Sequence, residues 1–303
     1  MSGFRAVYRS ADLYDAVLAP HYYGGVDDVD LVGRLMAEHF GEPGERGELT
    51  IAEFGCGTGR VTSCLAPHAR RLVGIDSSRS MIAAFETRFP RAETRCLRTQ
   101  AAVAQLLDEG LGEAFDVVGA FWSLSYPLGE FFEAMTEDGI RPVADVVTAR
   151  ASAGRLVQDL LALVAPGGHL LALFFDSETR EQRLVTRLWE RIAPFPDGGR
   201  AYTRQLLLDE LRAAEDRGVG WLTHTRRGGV AVAPSEEAAH AWFNHLHLKD
   251  FPTLVDDPDV QREVGAFVRD CTIPNGTVLI PSGVHVIDFH ATADPLLHLP
   301  SQR

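Results

Sequence analysis

Apolar and polar positions come in blocks along the chain, and block length separates strands from helices. Residues 8–40 carry Leu13, Val17 and Leu18, then Val29, Leu31, Val32, Leu35 and Met36, at helical spacing. Pro20 and Gly24-Gly25 divide this stretch into two helical pieces. After a polar turn over 41–47, short apolar runs at 49–54, 72–75, 94–97, 115–121 and 169–175 read as five strands. Helices lie between them. One starts near Arg60, and one is capped by Ser77 or Ser78 and carries Met81, Ile82, Phe85 and Phe89. A third ends near Gly110, and a fourth spans 145–164 and stops at Pro166-Gly167-Gly168.

Past residue 180 the pattern loosens. Helices are expected near 178–193, 202–217, 234–248 and 258–271. Extended stretches are expected over 219–232 and 277–291, the second interrupted by Pro281-Ser282-Gly283. Strands alternating with helices predict right-handed crossovers and a parallel sheet with helices on both faces. Such a sheet binds ligands at the carboxyl ends of its strands, near the point where strand order reverses.

Composition narrows the picture. The 303 residues leave room for one large domain or two small ones. Forty-two acids against 29 bases give a net charge of −13, which argues against a nucleic-acid binder. The N-terminus shows no apolar signal-peptide core, and no run reaches ~18 uncharged apolar residues, so no membrane span is expected. Cys56, Cys64, Cys96 and Cys271 form no C-x-x-C pair, so neither disulfides nor a metal site is read from them, and a reducing cytoplasm fits best. Lys249 is the one lysine beside 28 arginines, a skew that fits a GC-rich bacterial genome and leaves a single lysine candidate for catalysis.

The sharpest local signal is Glu53-Phe54-Gly55-Cys56-Gly57-Thr58-Gly59-Arg60, where the first strand of the alternation meets its helix. Glycines at alternate positions permit a sharp turn and close approach of a ligand to backbone. The following helix start suits a carboxylate or phosphate. Asp76, 17 residues past Gly59, ends the next strand where an acid can accept hydrogen bonds from ribose hydroxyls. An adenosine-bearing ligand is therefore expected. The third glycine of a dinucleotide fingerprint would fall at Arg60, and no phosphate-loop lysine is present.

The E-x-G-x-G-x-G spacing resembles motif I of the class I S-adenosylmethionine (SAM)-dependent methyltransferases. Val73-Gly74-Ile75-Asp76-Ser77-Ser78, Ala114-Phe115-Asp116-Val117-Val118 and Leu163-Val164-Ala165-Pro166-Gly167-Gly168-His169-Leu170 resemble three further motifs of that family, in the family's order. The resemblance covers roughly 49–176. It implies a Rossmann-like, doubly wound α/β sheet of seven strands with the last antiparallel. Residues 1–45 would form an N-terminal helical cover on a SAM-binding domain over 46–303, with a helical substrate-cover insertion at 234–275 between strands six and seven. It also implies SAM as cofactor, with S-adenosylhomocysteine (SAH) as product. Gly55, Gly57 and Gly59 would wrap the methionyl part, with Cys56 as a spacer within the same cofactor-binding turn, and Glu53 would meet its amine. Asp76 would hold the ribose, with Ser77 and Met81 on the adenine. Gln100, beside Ala101, would meet the adenine amine. Phe121 and Trp122 would line the pocket near the sulfonium, and Tyr14 and Tyr22 are candidates to close over it.

Methyl transfer is an in-line displacement, helped by a base when the acceptor is a hydroxyl, a protonated amine or a weak carbon acid. Six of the eleven histidines fall in the C-terminal third ahead of residue 291, with His245 and His247 in an aromatic segment. These two and Tyr126 are the catalytic candidates. Standing two apart, His245 and His247 point about 200° apart on a helix, so no metal pair is expected there, and no metal elsewhere. Phe121-Trp122-Ser123-Leu124 lacks the tetrad of nucleic-acid amine methylators. The aromatics Phe121, Trp122, Tyr126, Phe131, Phe132 and Trp242 suggest a small, largely apolar acceptor methylated at O, N or C, in bacterial natural-product or antibiotic biosynthesis. Two other readings stand beside this one: a catalytically inactive SAM-binding regulatory or partner protein, and an aminopropyltransferase-like enzyme. The sequence leaves a homodimer open.

Overall fold

The computed structural model describes residues 11–44, 49–136, 139–192, 200–248 and 251–293; Lys249, residues 8–10 and residues 45–47 of the polar turn lie outside them. The chain begins with α1 (Ala11–Val17), β1 (His21–Tyr23), β2 (Val26–Asp27) and α2 (Asp28–Phe40). The alternating core follows: β3 (Leu49–Phe54), α3 (Thr62–Leu65), β4 (Ala69–Asp76), α4 (Arg79–Arg88), β5 (Glu93–Cys96), α5 (Thr99–Asp108), β6 (Phe115–Phe121) and α6 (Ser125–Gly129). A separate hairpin of β7 (Glu133–Thr136) and β8 (Gly139–Pro142) leads into α7 (Val146–Leu161), β9 (Val164–Phe175), α8 (Arg180–Trp189) and α9 (Arg200–Asp216). Then come β10 (Gly220–Ala233), α10 (Glu236–Trp242), α11 (Pro252–Val255), α12 (Pro258–Asp270) and β11 (Val278–Ala291).

The main sheet has nine strands in the order β2-β1-β10-β11-β9-β6-β3-β4-β5. Strands β9, β6, β3, β4 and β5 run parallel, whereas β11 is antiparallel to both its neighbours. Without β1 and β2 this is the expected seven-stranded doubly wound sheet with an antiparallel last strand. The two extra strands correct the expectation. Gly24 and Gly25, read as a helix break, take φ of +64° and +87° and form the two-residue turn of a β-hairpin.

Each face of the sheet is covered. On one, Val103 and Leu106 of α5, Val157 and Leu160 of α7 and Leu207 and Leu211 of α9 pack on Ala52, Val118, Leu170 and Ile287. On the other, Leu31, Val32 and Met36 of α2 and Phe85 of α4 pack on Ile51, Val117, Leu171 and Val286. Apolar burial of this kind stabilises by about 25 cal/mol per Å².

Strand length positions the site. β10 and β11 pair from Gly220↔Ala291 to Ala233↔Val278, but β9 reaches β11 only from Val284 to His290. Their far ends therefore project past the carboxyl edge of the parallel strands. β1 pairs with that projection, through Tyr22↔Val230 and His21↔Ala231. The 236–270 helices pack there too: Trp242, Phe243, Val260, Val264 and Val268 enclose Ala231, Ala233, Val278 and Ile280. Both coverings meet at one end of the sheet.

Four local expectations are corrected. Pro281-Ser282-Gly283 does not interrupt the last strand, since all three stay in register with Val230, Gly229 and Gly228. Pro166-Gly167-Gly168 lies inside β9 as an irregularity, and α7 has already ended at Leu161. The helix expected from Arg60 is the single turn of α3, followed by a 3-10 turn at Ala66–His68 that contains Pro67. Residues 243–247 widen into a π turn after α10 instead of continuing as an α-helix.

Candidate active site

The chain leaves β3 through Gly55, Gly57 and Gly59, whose φ values of +72°, +55° and +84° disfavour any side chain. Their surroundings differ. A Cβ on Gly55 would meet Ser123 at 2.3 Å and one on Gly59 would meet Phe89 at 2.4 Å, whereas one on Gly57 would meet nothing within 4 Å. Gly57 faces a cavity of about 240 Å³ at the carboxyl edge of the sheet. Tyr14, Gly55, Gly57, Asp76, Ser77, Met81, Gln100, Phe121, Trp122 and Tyr126 of the sequence candidates line it, together with Ser123 and Glu130.

The wall is held by hydrogen bonds. Asp76 accepts from the Gly57 amide at 3.1 Å and the Ser78 amide at 2.7 Å, one on each carboxylate oxygen. Ser78 caps α4 by accepting from the Met81 amide. Gln100 Nε2 donates to the Pro127 carbonyl at 3.0 Å and to Glu130 at 3.3 Å. That fixes the amide and leaves Gln100 Oε1 a buried acceptor with no hydrogen bond. An orphaned acceptor on the wall marks a place where a ligand donor belongs.

A second network joins the N-terminal cover to the cavity. Asp28, at the start of α2, is buried and accepts from Arg60 Nη1 and Nη2 at 2.6 Å each and from Trp122 Nε1 at 2.7 Å. Burial alone would raise the Asp28 pKa, but the Arg60 and Trp122 donors outweigh it and hold the carboxyl below its ordinary value. Trp122 sits at φ +63° directly after β6, with its ring 4.8 Å from that of Phe175. Tyr14 descends from α1, and Thr58 donates to Asp15 at 3.0 Å, tying that helix to the Gly-rich turn. Burial, opposed by Arg60, lifts the Tyr14 hydroxyl to about 12, so it stays a donor at neutral pH.

His21 was not among the sequence candidates. Its Nδ1 lies 2.8 Å from the Ala19 carbonyl, which can only accept, so Nδ1 carries the proton in the neutral ring. Nε2 is then the acceptor, and it has no hydrogen-bond partner among the described residues. The rings of Trp122 and Trp242 flank it at 5.9 and 5.8 Å. Burial lowers the His21 pKa, which favours the neutral form. The available sequence signal was the dense aromatic group His21-Tyr22-Tyr23 ahead of Gly24-Gly25.

Several candidates are not on the cavity wall. Tyr22 is 39% exposed on the outer face of β1, because strand alternation turns Tyr23 inward instead. Ala101 faces solvent from α5. Cys56 is buried beneath the turn, and Gly59 packs on Phe89. Glu53 lies under the turn and accepts from Thr62 Oγ1 at 2.5 Å. Burial, opposed by Thr62 and Arg60, lifts its carboxyl to about 7. Of the two histidines, His245 is exposed, whereas His247 is buried with its Nε2 2.8 Å from Glu181. The π turn and the packing of Trp189 on the His247 carbonyl direct His247 into the core of the cover.

A sheet of this order, with its cavity at the carboxyl edge beside a Gly-rich turn, belongs to the nucleotide-binding class of α/β folds. Within it, residues 52–148 match the family model described as a methyltransferase domain. Residues 52–148 thus carry a methyltransferase domain, and the cofactor that the sequence motifs imply for it is SAM. No curated protein matches it in sequence. Among solved structures, the [4+2]-cyclase SpnF is similar at a TM-score of 0.50 and 15% identity, over 96% of each chain. The YcgJ protein of Bacillus subtilis is similar at 0.49 and 9% identity, over 87% of this chain and 97% of that one. The N-methyltransferase NodS of Bradyrhizobium japonicum, in complex with SAH, is similar at 0.41 and 15% identity, over 86% and 85%. The residues fit the cofactor at two points, the open face of Gly57 and the unbonded Oε1 of Gln100.

Proposed function

We propose that this enzyme methylates a small, largely apolar or aromatic acceptor in bacterial specialised metabolism, with His21 as the proton acceptor. The observation that carries the reading is His21 Nε2, an unbonded acceptor set between two indole rings, one of which also lines the cofactor cavity. When bound, SAM supplies an electrophilic methyl group on its sulfonium.

The chain's own residues do the rest. The open face of Gly57 leaves room for the methionyl part, and Glu53 beneath the turn supplies negative charge for its amine. Asp76, on the cavity wall at the end of β4, accepts from the ribose hydroxyls. Gln100 Oε1 accepts from the adenine amine, while Ser77 and Met81 pack against the ring. Tyr14 covers the cofactor from α1. Residues 1–45 and the 234–275 insertion bracket the acceptor and exclude water, with Trp122 and Trp242 as its apolar walls. His21 Nε2 takes the proton of a hydroxyl or carbon acid as the new bond forms, or that of an ammonium beforehand, which frees the nitrogen lone pair to attack. Holding donor and acceptor in line accounts for most of the acceleration, and the base for about 10²–10⁴-fold of it.

The test is product formation from methyl-labelled SAM with small-molecule extracts and a panel of phenols and amines. One product heavier by a CH₂ unit, with SAH released, is the expected result. Label found only in RNA or protein overturns the small-molecule reading, and SAH binding without any labelled product favours a non-catalytic binder. His21→Gln should keep its SAH affinity and lose about 10²-fold in turnover; unchanged turnover removes His21 from the mechanism.

A further inference from the structure

At the far end of the sheet, three side chains converge from three elements. His39 comes from the last turn of α2, His169 from β9 and Asp288 from β11. His169 Nδ1 lies 2.8 Å from Asp288 Oδ1, and His39 Nε2 lies 2.8 Å from Asp288 Oδ2. The candidate ligand atoms all fall within 4.8 Å of one another. His169 precedes Phe175 by six residues on one strand, so the cluster is about 20 Å from the cofactor cavity.

The two histidine contacts differ in kind. His169 and Asp288 make a buried hydrogen bond. His39 Nε2 is buried as well and meets Asp288 as an ion pair, at an angle outside that of a well-aligned hydrogen bond. A proton can hold the pair at this distance, but a cation can bond to the carboxylate and both imidazoles at once, which a proton cannot. In a tetrahedral site donors stand about 3.3 Å apart, so seating an ion asks the carboxylate to withdraw by about half an ångström from each nitrogen.

The surroundings suit such an ion. The His39 and His169 rings stack at 4.1 Å, and His290 stacks on the other side of His169 at 4.2 Å, with Trp221 against His290. These rings hold the ligand nitrogens in place, the supporting role that outer groups play around metal sites. His39 keeps 20% of its side chain exposed, which gives an entry path and room for water. Two imidazoles and one carboxylate are a donor set for late first-row dications, whereas Ca²⁺ and Mg²⁺ take mostly oxygen ligands.

We propose that His39, His169 and Asp288 form a three-ligand site for a divalent transition-metal ion such as Zn²⁺, with solvent completing the shell. The ion cross-links α2 to β9 and β11. Its role is to fix the far end of α2, a helix about 20 Å long whose near end carries Asp28 against Trp122 in the cofactor cavity.

The experiment uses full-length protein with no histidine tag. It is stripped with a chelator and titrated with Zn²⁺ by calorimetry, with thermal melts alongside. About one equivalent should bind, and at a hundred times Kd the Tm should rise by about 4 °C. His39→Ala removes a ligand from a partly exposed helix face. It should keep its circular dichroism and SAH affinity while losing the ion and the rise in Tm. Asp288→Asn should lose them too. Co²⁺ in place of Zn²⁺ should give visible d–d bands in the parent protein that His39→Ala lacks. Uptake below about 0.2 equivalent, or His39→Ala binding Zn²⁺ as tightly as the parent, overturns the site.

Discussion

Asp28→Ala is the substitution that most directly tests how the cover is coupled to the cavity. Asp28 is 2% exposed and holds both Arg60 Nη atoms and the Trp122 indole N–H. Removing one partner of a buried ion pair costs about 3–5 kcal/mol because the other charge is stranded. Arg60 keeps 33% of its side chain exposed, so water recovers part of that and about 2–3 kcal/mol remains. The orphaned indole N–H adds about 1 kcal/mol. The two terms share one carboxylate oxygen and do not add fully, so the expected loss is about 3 kcal/mol, or about 5 °C in Tm for a chain of this size.

Urea denaturation gives the free energy, and a double-mutant cycle with Arg60→Ala isolates the pair. The double variant should be less destabilised than the sum of the singles by about 2 kcal/mol. Asp28→Asn, which keeps an acceptor for the indole but loses the charge, should fall between the parent and Asp28→Ala. SAH affinity should drop about tenfold in Asp28→Ala, because Trp122 at φ +63° is no longer held on the cavity wall. A loss under about 1 kcal/mol, or no coupling in the cycle, would refute the view that this network fastens α2 to the site.

Three further outcomes follow from the same geometry. The Glu53 carboxyl, raised by burial to about 7 from 4.5, is protonated more readily in the folded state than in the unfolded one. Its contribution to stability is full below the unfolded value and lost as pH rises through about 7, so Glu53→Gln should flatten that part of a stability–pH curve. SAM affinity measured by calorimetry should run the other way, rising through the same window as the carboxylate forms to meet the cofactor's ammonium. Gly57→Ala should weaken SAH binding at least tenfold with about 1–2 kcal/mol of strain, while Gly59→Ala, driven into Phe89, should lose more stability; the reverse order counts against the assignment of the turn. Gln100→Leu should weaken SAH about tenfold, and it should erase discrimination against an analogue lacking the adenine amine.

What could be read from one sequence was what is local in the chain. β3, β6 and the core of β9 are buried on both faces, so their apolar runs stand out at nearly their true ends. Ser78 and Asp145 cap α4 and α7 where a short polar residue precedes an apolar stripe. The Gly-rich turn and Asp76 are separated by one βα unit, and the fold brings them to one wall with Met81, Gln100 and Trp122. Chemistry assembled across long separations left no such trace. The β1–β2 hairpin has too few residues to show a period, so nothing in the chain distinguishes inward Tyr23 from outward Tyr22 until pairing with β10 fixes the register. His247 was placed by ideal helical spacing, which the π turn at 243–247 does not obey. Asp28, Arg60 and Trp122 come from the N-terminal cover, the first turn and the fourth strand of the core, and His39, His169 and Asp288 span more of the chain still. In both clusters the carboxylate is buried, and a buried charge persists only where its partners are supplied. The partners come from tertiary register, so a lone aspartate before an apolar helix reads as an ordinary first-turn acid. Yet Asp28 is the group through which the cover holds the cofactor wall.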